Sequence, residues 1–427
     1  MADPGTLPGG VPSPAYCYDL DEVRRSHQRL RRALPKPSHL YYSLKANPHP
    51  AIITALRQAG CRAEVSSPGE MQAALDCGVP PAEIIFTAPG KPDSAVASAV
   101  AAGVGLISVD SPRALDQVNV VASALGRQAS CLLRVNDTSP APGQAMTMTG
   151  EASQFGADVE WVLGEPWRFS SRPAARVAGL HLFMGSNVAG EDNLIAQFAQ
   201  AAGTARRLAG TGAVAVEMLD LGGGFGAPFA RHGDLPAFPT LAARLERLLD
   251  DQFPHWRDGR PAVAFESGRY LTATCGTLLC RVLDVKRSHG RPVVVLESGI
   301  NHLGGMSGMR RLPPILPDLD GGPADGAASD GAASDGAANG EPMRGAIVSG
   351  PLCTPLDTWT KAAALAAQPG QLVRVPNVGA YGLTASLLAF LSHPAPAEVI
   401  IDGGEITHVS RLTVTREVVS EGRVTAR

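Results

Sequence analysis

Short apolar runs and amphipathic stretches take turns along the first two thirds of the chain. Between Leu40 and Arg269 the apolar runs are HLYYSLK, CRAEVSS, EIIFTA, GLISVD, SCLLRVN, VAGLHLFMG, EMLDLGGG and AVAFES. Segments with helical spacing lie between several of them, among them 51–59, 68–77, 93–102 and 193–209. This alternation predicts a parallel sheet with crossover helices. Eight strand candidates in roughly 230 residues suit a closed (β/α)8 barrel better than an open sheet, and function in such a barrel collects at the C-terminal ends of the strands.

After Arg269 the pattern changes. TLLCRVLDVKR, RPVVVLES, AIVSGPL, GQLVRVPNVG, AEVIIDGGE and VSRLTVTREVV read as strands with few long helices between them, which predicts a second, mostly β domain. The expected organisation is a flexible lead-in at 1–14, a strand segment at 15–30 joining the β domain, a barrel over 31–270, and the β domain over 271–427. An insertion at 319–342 interrupts the last. Its core, DGAASDGAASDGAANG at 325–340, repeats small residues that cannot bury a core and reads as a surface insertion without a functional part.

Composition narrows the classes. Of 427 residues 44% are hydrophobic and 18% charged, as in an ordinary globular protein. A net charge of −3 gives no footprint for nucleic acid or an anionic membrane. No apolar run approaches the roughly 20 residues that span a bilayer, and MADPGTLPGGVPSP does not read as a signal peptide. The seven cysteines are odd in number, form no CxxC and show no zinc-ligand spacing. Reduced thiols in a cytoplasm, and no metal site, are expected.

Five segments could carry chemistry. Lys45, one of five lysines against 32 arginines, closes the first strand in YYSLKANPHP. It is either a rim lysine reaching for solvent or an amine whose pKa burial lowers, ready for Schiff-base chemistry. LDLGGGFG at 219–226 is either a tight barrel loop or a backbone cradle for phosphate; it lacks the spacing of a dinucleotide loop and the GK[ST] of a P-loop. In FESGRYLT, Glu266 and Arg269 could neutralise each other, or divide between a heteroaromatic nitrogen and a phosphate. Cys353 lies in the Gly/Pro-framed loop SGPLCTPLDTW rather than in a strand or helix interior, where a structural cysteine is commoner. Tyr381 in GAYG is set to donate to an anion. Together, a lysine amine, a glycine loop, a carboxylate for a pyridine nitrogen and an arginine for phosphate describe one cofactor, pyridoxal phosphate.

With these motifs in this order, from about Ala15 to Glu398, the chain resembles the fold-type III pyridoxal-phosphate decarboxylases: ornithine, arginine and diaminopimelate decarboxylases and their relatives. The resemblance implies an alanine racemase-like architecture, a (β/α)8 barrel plus a C-terminal mostly-β domain. YYSLKAN makes Lys45 the cofactor-holding lysine, and AEVSSPGE places Glu64 near the cofactor. LLRVN supplies Arg134, and ASQFG matches the segment before the middle barrel helices. GLHLFMGSN carries Phe183 onto the ring-stacking position and Ser186 onto the phosphate serine. LDLGGGFG supplies Gly223 and Gly224. FESGR supplies Glu266 for the pyridine nitrogen, with Gly268 and Arg269 at the phosphate, which Tyr381 also contacts. Cys353 matches the catalytic cysteine that enters from the partner subunit of a homodimer and returns a proton to the α-carbon.

The departures bear on substrate. Phe183 stands where the family often has histidine, and His181, two residues earlier, is expected to point to the other face of its strand. Thr354 and Pro355 follow Cys353 where many diamino-acid decarboxylases have an acid, leaving Asp357 as a polar contact beside Thr354. HLFMGSN, GPLCTPLD and GAYGLTASLLAFLSHPAPAEV resemble the branch that decarboxylates acidic aminoacyl groups (glutamyl, aspartyl or methylaspartyl) tethered to an acyl carrier protein in natural-product biosynthesis. The alternatives are a decarboxylase of free diaminopimelate, ornithine or a similar amino acid, and an amino-acid racemase. Racemases of this fold pair the pyridine nitrogen with arginine, which Glu266 argues against. A non-catalytic homologue is disfavoured by Lys45, Glu266 and Cys353 together.

Overall fold

The protein is described by a computed structural model covering residues 6–7, 10–140, 146–147, 149–188, 190–212, 214–304, 317–321 and 343–418. The repeat at 325–340 lies outside the described residues. The chain forms two compact units, one of residues 1–18, 277–376 and 382–427, the other of 19–276 and 377–381.

The larger unit is the expected barrel. Its strands are β1 (His39–Ser43), β2 (Arg62–Val65), β3 (Ile84–Phe86), β4 (Leu106–Val109), β5 (Ala129–Asn136), β6 (Ala175–His181), β7 (Met218–Asp220) and β8 (Ala262–Ser267). All pair in parallel; β8 pairs with β1 and β4 with β5, which closes the ring. Each coincides with or overlaps one of the eight apolar runs, because a strand buried on both faces is a continuous apolar segment. Three crossover helices, Pro50–Gln58, Pro68–Asp76 and Pro112–Ala124, open on a proline just after a capping side chain. Ser67 Oγ accepts from the Glu70 N–H at 3.1 Å, and Ser111 Oγ from the Ala114 N–H at 3.1 Å. Proline at the first helical position gives up no helical bond, and the cap satisfies a donor the helix leaves free.

Parallel register and a two-residue side-chain period stack the interior in layers. Tyr41, Ile85, Leu132, Met218 and Ala264 form a buried apolar cluster. Further along the strands, β2, β4, β6 and β8 contribute Glu64, Ser108, His181 and Glu266, all buried. Two residues beyond Tyr41, Ile85, Leu132 and Met218 come Ser43, Thr87, Arg134 and Asp220, of which only Arg134 is more than slightly exposed. An apolar floor thus gives way to buried polar layers at the C-terminal ends, and buried polar groups must find partners.

The smaller unit is a sheet in the order Thr358–Leu365, Met343–Ser349, Arg291–Leu296, Gly276–Ser288, Ala15–Asp19, Ala397–Asp402, Glu405–Arg411, with Leu372–Val375 pairing the first half of Gly276–Ser288. The strand expected over 15–30 occupies only Ala15–Asp19. The Asp19 carboxylate accepts from the Asp21 N–H (2.8 Å) and the Glu22 N–H (3.3 Å), and so starts a helix at Leu20 that runs to Ala33. That helix buries Leu20, Val23, His27 and Leu30, the i, i+3, i+7 stripe of an amphipathic helix, and belongs to the barrel unit.

Candidate active site

β1 stops at Ser43, and Lys45 sits just past it in a single turn, Leu44–Ala46, rather than in the strand. The turn is pinned from both sides. Tyr42 Oη donates to the Asn47 carbonyl (2.6 Å), Asn47 Nδ2 to the Gly379 carbonyl (2.9 Å), and the Tyr381 N–H to the Ala46 carbonyl (2.8 Å). The Lys45 side chain is 42% exposed, and its Nζ lies 3.2 Å from Glu64 Oε2 and 5.9 Å from the centre of the Phe183 ring. Burial acts to lower the Lys45 pKa, yet the Glu64 carboxylate, helped by Tyr381 and Glu266, carries it above the usual lysine range. The expected depression by burial is overturned: burial is the largest single influence, but the three neighbouring groups together outweigh it.

Glu64 also accepts from Thr87 Oγ1 and, at 3.3 Å, from Ser66 Oγ. Burial raises its pKa, but Lys45 and the Ser43 and Thr87 hydroxyls overcome that, so the carboxyl stays ionised.

The glycine loop is close-packed by necessity. A Cβ on Gly223 would lie 2.1 Å from the Glu266 carbonyl oxygen, and one on Gly224, whose φ is +100°, 2.7 Å from the Gly185 carbonyl oxygen. Gln197 Nε2 donates to the Gly223 carbonyl (2.7 Å), and the Val188 N–H to the Gly224 carbonyl (2.8 Å), so the turn bearing Ser186 and the glycine loop are stitched together. A Cβ on Gly268 would meet Ala46 Cβ at 2.7 Å, which brings the Glu266–Arg269 corner against the Lys45 turn. Arg269 stacks its guanidinium 4.7 Å from the Tyr381 ring centre, and its buried Nε has no hydrogen-bond partner. Tyr381 holds φ at 55°, a left-handed conformation that costs on the order of 1–3 kcal/mol in a bulky residue. Arg134 faces the acids Glu266, Glu64, Asp110 and Asp220 and stacks 4.8 Å from the Phe155 ring.

Glu266 is not paired with Arg269. Its Oε1 lies 3.3 Å from His181 Nε2, without hydrogen-bond alignment, and one donor atom each from His181, Asp220 and Glu266 falls within 4.8 Å of the others. Burial, then the neighbouring acids Asp220 and Glu64, pushes the Glu266 pKa well above the carboxylate range. Burial likewise lifts Asp220 to about 6 and drives His181 well below the usual histidine value. The expectation that His181 points to the other face is wrong. Residues two apart on a strand share a face, so His181 points inward like the layer residues around it.

Sequence reasoning set His181 aside and passed over Asp220, Ser108, Thr87 and Gln197. His181, Asp220 and Ser108 carried a signal: each is a polar residue inside an apolar run, in LHLFM, MLDLG or LISVD.

Cys353, Thr354 and Asp357 belong to the smaller unit. Cys353 is exposed and unpaired. Thr354 Oγ1 accepts from the Leu356 N–H at 3.3 Å. Asp357 is not available as a substrate contact. It is buried, and its two oxygens accept from the Ile300 N–H and the Leu352 N–H, both at 2.8 Å. It packs so closely on Gly299 and Gly350 that a Cβ on either would overlap its carboxylate. Asp357 braces the loop that carries Cys353.

Comparison with known proteins bears on the same residues. A family model described as the pyridoxal-binding domain of pyridoxal-dependent decarboxylases matches residues 20–273. The L-glutamyl-[BtrI acyl-carrier protein] decarboxylase of Niallia circulans is 29% identical over 416 residues, 96% of this chain and 93% of that protein. The diaminopimelate decarboxylase of Zymomonas mobilis is 28% identical over 405 residues, covering 92% and 88%. In fold, the chain is similar to Helicobacter pylori diaminopimelate decarboxylase crystallised with L-lysine, with a TM-score of 0.76 at 23% identity over 92% of this chain and 93% of that one.

Proposed function

The chain belongs to the pyridoxal-dependent decarboxylases, and from that premise we propose that it decarboxylates an acidic aminoacyl group (glutamyl, aspartyl or methylaspartyl) held on an acyl carrier protein. The protein is a pyridoxal-phosphate-dependent amino-acid decarboxylase; the acyl group and its carrier are the proposal. The observation that supports it most is the Cys353 loop. Asp357 is the only acid between Ser349 and Thr358, and its carboxylate is committed to backbone N–H groups. The loop therefore offers no charge for the distal ammonium of ornithine, lysine or diaminopimelate. The similarity to a carrier-protein glutamyl decarboxylase points the same way.

The residues fit the cofactor. The glycine cradle, the unpartnered Arg269 Nε and the Tyr381 stacked on it suit a phosphate, with Ser186 on the stitched turn. Glu266, with an oxygen lacking a hydrogen bond, suits the ring nitrogen, while Phe183 lies beside Lys45 to cover the ring. When bound, pyridoxal phosphate supplies the electron sink for the charge left by CO2 loss. Lys45 must shed a proton to act as a nucleophile, and the ion pair with Glu64 Oε2 at 3.2 Å holds that proton on the amine. Glu266 holds a proton at the ring nitrogen. Cys353 acts as the acid that returns a proton to the α-carbon, supplied across a two-fold by a second copy of the chain.

Mass spectrometry tests the substrate. Free aspartate, glutamate, ornithine and diaminopimelate are compared with aspartyl- and glutamyl-carrier proteins. Loss of CO2 from the carrier-bound forms alone is expected; efficient turnover of free diaminopimelate would instead support the reading its relatives suggest.

A further inference from the structure

The polar layer formed by β2, β4, β6 and β8 holds more than one contact to the cofactor needs. His181 is 1% exposed and sits between two groups: Ser108 Oγ lies 3.3 Å from its Nδ1, and Glu266 Oε1 lies 3.3 Å from its Nε2. On the adjoining strand β7, Asp220 Oδ1 accepts from the Gly222 N–H at 2.8 Å, which leaves its buried Oδ2 without a partner. His181 Nε2 and Glu266 Oε1 are likewise buried and lack an aligned hydrogen bond. Such atoms are costly unless they come into use.

Donor bookkeeping depends on the state of Glu266: protonated, its O–H can donate to Nε2 while Nδ1–H donates to Ser108 Oγ, and ionised, it calls for the reverse. Burial keeps His181 neutral, so one ring nitrogen donates and the other accepts. Glu266 Oε1 as an ionised acceptor needs a donor at Nε2; Nδ1 then accepts, and the Ser108 hydroxyl is the donor beside it. With Glu266 ionised, the order would be Ser108 Oγ–H to Nδ1, then Nε2–H towards Glu266 Oε1.

We propose that His181, with Ser108 at its Nδ1, is the positioning residue that lets Glu266 release a proton to the cofactor's ring nitrogen. Glu266 carries the proton while the neighbouring acids Asp220 and Glu64 disfavour its charge. On transfer, the O–H bond of Glu266 breaks and an N–H bond forms at the ring. The new carboxylate would be met by the Nε2–H of His181, 3.3 Å from Glu266 Oε1. Arg134 and Lys45 also face Glu266 and favour its ionised form. Asp220, tied to the glycine loop through Gly222, keeps the carboxyl poised between the two states.

This inference rests on Glu266 facing the ring nitrogen, and the test separates the two. Holoenzyme is loaded with cofactor labelled with 15N in the ring, and the 15N resonance is followed across the neutral pH range in wild type, Glu266→Gln, His181→Leu, His181→Gln and Ser108→Ala. His181→Leu is expected to lower the ring-nitrogen titration by about one pH unit or more, a roughly tenfold loss of proton affinity. Ser108→Ala should move it the same way by less, and His181→Gln, which keeps an N–H donor, should recover part of the loss. If Glu266→Gln strips the ring proton while His181→Leu and Ser108→Ala titrate like wild type, His181 has no such role. If Glu266→Gln itself leaves the resonance unmoved, the assignment of Glu266 to the ring nitrogen fails instead. Should His181→Leu not hold cofactor, Ser108→Ala, a smaller change, decides alone.

Discussion

Lys45 and Glu64 form an ion pair with unequal partners, the lysine 42% exposed and the carboxylate 1%. Burial pulls the Lys45 pKa down, and the charges of Glu64, Tyr381 and Glu266 together more than reverse it. Glu64→Gln removes the largest of those opposing charges, so the free amine appears at lower pH. Cofactor capture, followed by the visible absorbance and by borohydride fixation of the label, is expected to reach half-maximum about one pH unit or more below wild type. A profile unchanged, or displaced upward, would show that Glu64 does not govern the amine. The same scale exposes what a linear reading misses. Lys45 looked like a desolvated amine because its neighbours in sequence are apolar, while the group that decides its charge is 19 residues away on β2. Asp357 looked like a free carboxylate because it lies in a loop, yet the loop is folded around it.

At the scale of elements, the glycine loop and β8 are in backbone contact, and Gly223 is where the gap is narrowest. A methyl there meets the Glu266 carbonyl oxygen at 2.1 Å, so Gly223→Ala must lift the loop from β8 and disturb the phosphate cradle and Glu266 together. Cofactor affinity, measured by fluorescence titration, is expected to fall at least about tenfold, the equivalent of 1.4 kcal/mol. Gly203 is the control: it lies inside the helix Glu191–Ala209 with open space at its Cβ. Gly203→Ala should leave affinity alone and stabilise the barrel by about 0.5–1 kcal/mol in denaturant unfolding. Equal effects of the two changes would mean that close packing of the loop is irrelevant to binding. The eight strands were legible because parallel strands buried on both faces stay apolar and end at turn residues. The strand Thr358–Leu365 was not: TWTKAAAL is alanine-rich, and only pairing with Met343–Ser349 makes it a strand. The helix from Leu20 was legible locally in Asp19 and the spacing of Leu20, Val23, His27 and Leu30, but the strand before it drew the whole segment into one reading. His181 and Asp220 needed the layer arithmetic of a closed barrel, in which residues of alternate strands meet.

For the whole molecule, the proposed chemistry asks for a lysine and a cysteine that belong to different compact units: Lys45 in the barrel, Cys353 on an exposed loop of the smaller unit. If the cysteine reaches the active site of a second copy, neither Lys45→Ala nor Cys353→Ala alone assembles a complete site, but a mixed dimer does. One subunit then lends Lys45 and the other Cys353, and the remaining site carries both defects. Free exchange makes half of the dimers mixed, each with one of two sites intact, so mixing equal amounts is expected to recover about a quarter of wild-type turnover. Native mass spectrometry establishes that exchange has occurred before rates are compared. Exchanged mixtures no faster than the mean of the two variants would put Lys45 and Cys353 of one chain in the same site. A wild-type protein that is monomeric at assay concentration and still turns over would remove the shared site altogether. Loss of decarboxylation in Lys45→Ala with no loss in Cys353→Ala would leave the dimer question open to mass alone and take the cysteine out of the chemistry.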